Sequence, residues 1–96
     1  MKTNVQKHME MLGNKVVDKV TGFAGVCSSV SFDLYGCVQV VITPPATEGG
    51  TKYGECRWFD IGRVEVTATA RVMDLPDYDF GKVAEGRKGP AEKPAF

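Results

Sequence analysis

Between Lys15 and Thr43 apolar and polar positions alternate with the period of two that an extended chain imposes on its side chains. Val26, Ser28, Val30 and Phe32 fall on one side of such a chain, and Cys27, Ser29 and Ser31 on the other. In the next run Val38, Val40 and Ile42 share a face, opposite Cys37, Gln39 and Val41. Two glycine-bearing breaks, Thr21-Gly22-Phe23-Ala24-Gly25 and Asp33-Leu34-Tyr35-Gly36, divide the stretch into three runs rich in β-branched residues, which predicts a three-stranded antiparallel meander. The first strand is expected over Lys15 to Val20. Gly22 and Gly25 are expected to supply the positive φ of a tight reversal, a region that a Cβ resists. Phe23 between them is either an exposed tip or a lid over the end of a barrel. At the second break Asp33 can bond its own backbone and Gly36 can turn left-handed, which presents Tyr35.

The flanks complete the pattern. Thr3-Asn4-Val5-Gln6 has the T-x-x-Q form of a capping box, Val5, Met9 and Leu12 form one apolar stripe, and Gly13 is a natural stop. A short helix is therefore expected within residues 1–13, stable only if the stripe docks on the sheet. His8 and Met11 lie off that stripe. Pro44 to Thr51 is full of breakers and reads as a loop. Beyond it Cys56, Trp58 and Asp60 alternate with Glu55, Arg57 and Phe59, then Ile61-Gly62-Arg63 makes one turn before Val64 and Val66. The alternation continues through Ala68 and Ala70 to Val72, which predicts a long last strand whose far half is available to another chain. The chain thus reads as mainly β: a small five-stranded antiparallel barrel over residues 14–72, preceded by the helix and followed by an extended C-terminal arm over residues 73–96. Leu75, Tyr78 and Phe80, in an acidic and aromatic segment, are the expected anchors of that arm on a neighbour.

Composition narrows the chemistry. Ninety-six residues suit one domain, and twelve basic against twelve acidic residues leave no net charge, which argues against nucleic acid or an anionic membrane as partner. No apolar run approaches the ~20 residues of a membrane helix, and no secretory signal is read in the first residues. Three widely spaced cysteines, Cys27, Cys37 and Cys56, fit neither an even-numbered disulfide framework nor the paired knuckles of a zinc site. Cys27 and Cys37 are expected near each other on paired strands. The serines sit in strands, His8 is the one imidazole and has no evident orienting partner, and Asp33 and Asp60 read as turn residues. The expectation is a non-enzymatic protein without metal or cofactor.

Leu12-Gly13, Val20-Thr21-Gly22-Phe23-x-Gly25, Tyr35-Gly36-Cys37-x-Gln39, Trp58-Phe59-Asp60 and Arg63-x-Glu65-Val66 together resemble a group of short proteins encoded by tailed bacteriophages and prophages, over about residues 12 to 67. The run V-x-D-x-x-T-G-x-x-G from Val16 to Gly25 is similar to a hairpin of SH3-like barrels. The first resemblance implies a setting, the host cytoplasm or the virion, rather than a reaction. Within that setting two readings follow. In one, the chain is a virion or assembly component that associates with copies of itself and grips a neighbour with its arm. In the other, it is an accessory factor that binds a host protein or a small signalling nucleotide to counter a host process. Phe23, Tyr35, Arg57 and Trp58 are the candidate binding surface, an aromatic and arginine group suited to hot-spot contacts, with Tyr78 and Phe80 added from the arm. A homo-oligomer is expected, because a core of this size stabilises a fold by only ~3–5 kcal/mol.

Overall fold

The structure, a computed structural model, describes residues 3–77. Helix α1 (Asn4–Met9) leads into β1 (Lys15–Asp18), β2 (Ala24–Phe32), β3 (Val38–Thr43) and β4 (Arg57–Asp60); a 3-10 turn (Ile61–Arg63) then joins β4 to β5 (Val64–Val66). All pairings are antiparallel, in the order β4-β3-β2-β1-β5. The mainly β architecture matches the sequence pattern, but the barrel is not closed by hydrogen bonds. Its two end strands, β4 and β5, are consecutive in the chain yet no ladder joins them, because a 3-10 turn between two very short strands sends β5 across to β1 instead of folding it back on β4.

The inner face carries the core: Val16, Cys27, Val40, Ile42, Phe59 and Val64, with Met11, Leu12, Phe23, Val30 and Ile61 packed against it. Strict alternation puts Cys27 and Val30 on opposite faces of β2, whereas both lie against this core. The reason is a bulge. Cys27 pairs with Ile42 and Ser29 with Val41, so Ser28 is an extra residue that brings Cys27 and Val30 to the same side. Cys27 and Cys37 are apart because the turn is tight: Cys37 lies next to it, where its carbonyl accepts from the Asp33 amide, while Cys27 stands opposite Ile42 near the other end of the ladder.

Strand β1 is shorter than expected because Asp18 ends it. Its carboxylate accepts from the amides of Val20 and Thr21 and from the Thr21 hydroxyl, which turns the backbone out of the ladder and leaves Val20 72% exposed. The same carboxylate receives both prongs of the Arg63 guanidinium, at 2.8 and 2.7 Å. Arg63 in turn lies over the Phe59 ring, 5.2 Å from its centroid. Asp18 is fully buried, so this fork ties the β1–β2 turn to the 3-10 turn in place of the missing β4–β5 ladder. The Arg63 bond holds the Asp18 carboxyl far below the usual carboxylate range, against the opposing effect of burial. The reversal also differs at Gly25. Gly22 takes the positive φ, whereas Gly25 does not; a Cβ at Gly25 would stand 2.1 Å from the carbonyl oxygen of Thr43. Gly25 is there for close approach between strands.

At the N-terminus both halves of the capping box form: Gln6 N donates to the Thr3 hydroxyl and Thr3 N to the Gln6 side chain. The helix runs only to Met9, and the turns that follow re-aim its stripe: Met11 and Leu12 reach the core, while Val5 remains exposed. Met9 and Leu12 share a hollow with Val30 and Phe32, so the helix does dock on β2. The long last strand is not formed. β5 stops at Val66 because β1, its partner, starts at Lys15, just past the left-handed Gly13. The chain beyond β5 bonds back to the stretch from the end of α1 to the start of β1 of its own chain. Thr67 N donates to Lys15 O, Val72 N to Gly13 O, and the Arg71 guanidinium to the Glu10 carbonyl at the end of α1. The expected arm falls on described residues only as far as Asp77, and Tyr78 and Phe80 lie outside them.

Candidate functional site

Two features stand out on the surface, one convex and one concave. The convex one is the β2–β3 turn. Asp33 shapes it as expected: its Oδ1 accepts from Tyr35 N at 2.8 Å, its carbonyl from Gly36 N at 3.0 Å, and Gly36 adopts φ 94°. This tight turn leaves Leu34 90% and Tyr35 88% exposed. Phe32 supports its base, with the His8 ring 6.3 Å away between centroids. The turn is a rigid apolar knob.

The concave feature is an open cleft of about 480 Å³ between the β1–β2 turn and the loop from β3 to β4. Phe23 is its floor, fixed from below by Phe59 at 5.6 Å between ring centroids, so Phe23 is a lid on the core and not an exposed tip. Pro44 and Tyr53 form apolar walls, and Lys52, Glu55 and Arg57 stand at the rim. The loop holds this shape through a small bridge between Thr47 and Lys52, closed by Glu48, Gly49 and Gly50 at positive φ. Thr51 ties it down further, donating its hydroxyl to Glu48 O at 2.7 Å. Arg57 pairs with Glu55 at 3.2 Å, and both are largely exposed, so the pair is weak and exchangeable. Lys52 has Glu48 at 4.0 Å, so each cation of the rim stands beside a carboxylate.

The expected four-residue surface is divided. Phe23 and Arg57 share the cleft, Tyr35 sits on the knob at the other end of the β2–β3 ladder, and Trp58 lies on the outer face opposite Val41. Trp58 is 54% exposed there and takes no part in the cleft. Leu34 and Tyr53 were not among the expected residues. Leu34 had a readable signal, a large aliphatic residue at a turn position that ordinarily favours polar ones. Tyr53 had none, since its loop has no periodicity.

Among the described residues no three His, Cys, Asp or Glu side chains gather in one place, and no helix is long and apolar enough to cross a membrane. Burial pushes the Cys27 thiol up, whereas Cys56 is exposed beside the Thr43 hydroxyl. Alkylation of the native protein with peptide-resolved detection is expected to modify Cys56 within minutes and Cys27 only on unfolding; equal rates at both would mean that Cys27 is not in the core. Comparison with protein-family models, curated proteins and solved structures finds no match.

Proposed function

We propose that this chain is a non-enzymatic assembly protein that acts by associating with copies of itself, in the tailed-phage setting that its Val-Thr-Gly-Phe and Tyr-Gly-Cys motifs resemble. The observation that supports this reading is the display of large apolar side chains on rigid parts of a thin fold. Leu34 and Tyr35 are held out by a turn that Asp33 braces through its carboxylate and its carbonyl, and Tyr53 is 84% exposed on a bridged loop. A monomer gains nothing by fixing such groups in water, whereas rigid aromatic anchors lose little entropy when a partner covers them. Sedimentation or light scattering across a concentration series tests the reading. A mass that rises to a defined multiple of the chain supports it; a monomer at every concentration up to the millimolar range removes it and favours an accessory factor with a different partner. Recovery of the chain from purified virions distinguishes a structural component from an assembly factor that departs.

A further inference from the structure

We propose that helix α1 and the segment 67–73 form a single gate, which opens and closes as one unit over an end of the core while the five-stranded sheet stays intact. The inference concerns one chain by itself and does not depend on self-association. The two pieces are far apart in sequence and are bonded to each other where the helix ends. The carbonyl of Glu10, the C-cap residue, accepts from the Asn14 side chain and from the Arg71 guanidinium. A cation from a distant part of the chain thus sits at the negative end of the helix dipole. Gly13 is the junction with the sheet. Its amide donates to Cys27 O at 2.9 Å, and its carbonyl accepts from Val72 N at 2.7 Å. A Cβ there would stand 2.1 Å from the Met73 carbonyl oxygen, so the segment crosses directly against the glycine. Thr67 N closes the other end of the segment on Lys15 O.

Neither piece is held by burial of its own. The helix has six residues, none of them buried, and one so short does not persist in water without tertiary bonds. No residue from 67 to 73 is buried either. Segments with few buried contacts and exposed backbone bonds open first, and the core lies elsewhere, mostly on the strands. The bonds between the two pieces therefore decide whether they stay closed, and release of one frees the other. Between them lies a hollow of about 390 Å³, lined among others by Lys7, Met11, Asn14, Val66 and Arg71. Met11 packs on the core, so opening widens the hollow and brings water to that end of it.

Amide hydrogen exchange on the full chain, followed residue by residue by NMR, tests it. The Lys7 and Glu10 amides report the helix, those of Thr67 and Val72 the segment, and those of the β2–β3 ladder the sheet. Arg71→Ala is expected to speed helix and segment amides by one common factor, at least about tenfold for the loss of a charge-assisted bond. The ladder amides should keep the parent rates. Thr3→Ala acts from the opposite end. It removes the hydroxyl that accepts from Gln6 N, and through the helix it is expected to speed Thr67 and Val72 about fivefold. Helix amides that ignore Arg71→Ala, or segment amides that ignore Thr3→Ala, mean that the two pieces open separately, and either result overturns the gate. Ladder amides that accelerate by the same factor overturn it too, because the opening is then unfolding of the whole chain.

Discussion

Gly25→Val leaves the chain without a cooperative melting transition at neutral pH. A Cβ at this position meets only backbone: 2.1 Å to the carbonyl oxygen of Thr43, 2.6 Å to its carbonyl carbon and 2.8 Å to Cα of Pro44. Overpacking of side chains against side chains costs about 1–3 kcal/mol because rotamers give way. Here neither neighbour yields. Thr43 holds the β2–β3 register through Val26, and the ring of Pro44 fixes the chain that follows. The cost therefore exceeds about 3 kcal/mol, which consumes the stability expected of so small a core. Gly22→Ala is the control. Gly22 has φ 82° and open space around the added carbon, so that change costs only about 1–2 kcal/mol, the left-handed penalty alone. Thermal melts followed by circular dichroism decide the matter: if the valine variant melts like the parent, β2 and β3 do not approach as described.

Asp18→Asn lowers the melting temperature by more than roughly 10 °C at pH 7, and the deficit shrinks in acid. The substitution keeps shape and size but leaves the half-buried Arg63 guanidinium without its counter-charge, and breaking a buried pair costs more than the pair contributes. The pH dependence follows from the direction of the shift. The folded carboxyl titrates far below the ordinary value of about 3.9, so its stabilisation is complete above that value and is lost as pH falls below it toward the folded one. Parent and variant should thus begin to converge below about pH 4 and continue to do so as pH falls toward the folded value. Arg63→Lys is not expected to restore the parent curve, because an ammonium cannot fill both prongs of the fork. Equal melting at pH 7, or a gap that ignores pH, would show that the fork does not stabilise the fold.

What the chain spells locally was readable. The capping box at Thr3, the Asp33–Gly36 turn, the single turn at Ile61 and the runs that become five strands all depend on neighbours a few residues away. The features that escaped depend on distant partners. Nothing near Asp18 announces Arg63, and nothing near Ser28 announces that β3 has one residue fewer to offer. The end of β5 at Val66 is set by where β1 begins, not by any change in the alternating pattern around Ala68. The four candidate surface residues are spread out for a different reason: alternation already assigns Arg57 and Trp58 to opposite faces of β4.

The missing β4–β5 ladder has a consequence in time as well as in space. Asp18 and Arg63 are 45 residues apart in sequence, whereas the strands of the central hairpin meet across a turn of a few residues. Loop-closure entropy grows with the logarithm of length, so joining the first strand to the last costs about 2 kcal/mol more than zipping that hairpin. Such an encounter is favourable only after the hairpins between have shortened the path. Arg63 thus acts as the latch of the molecule, engaged when the rest is already in place.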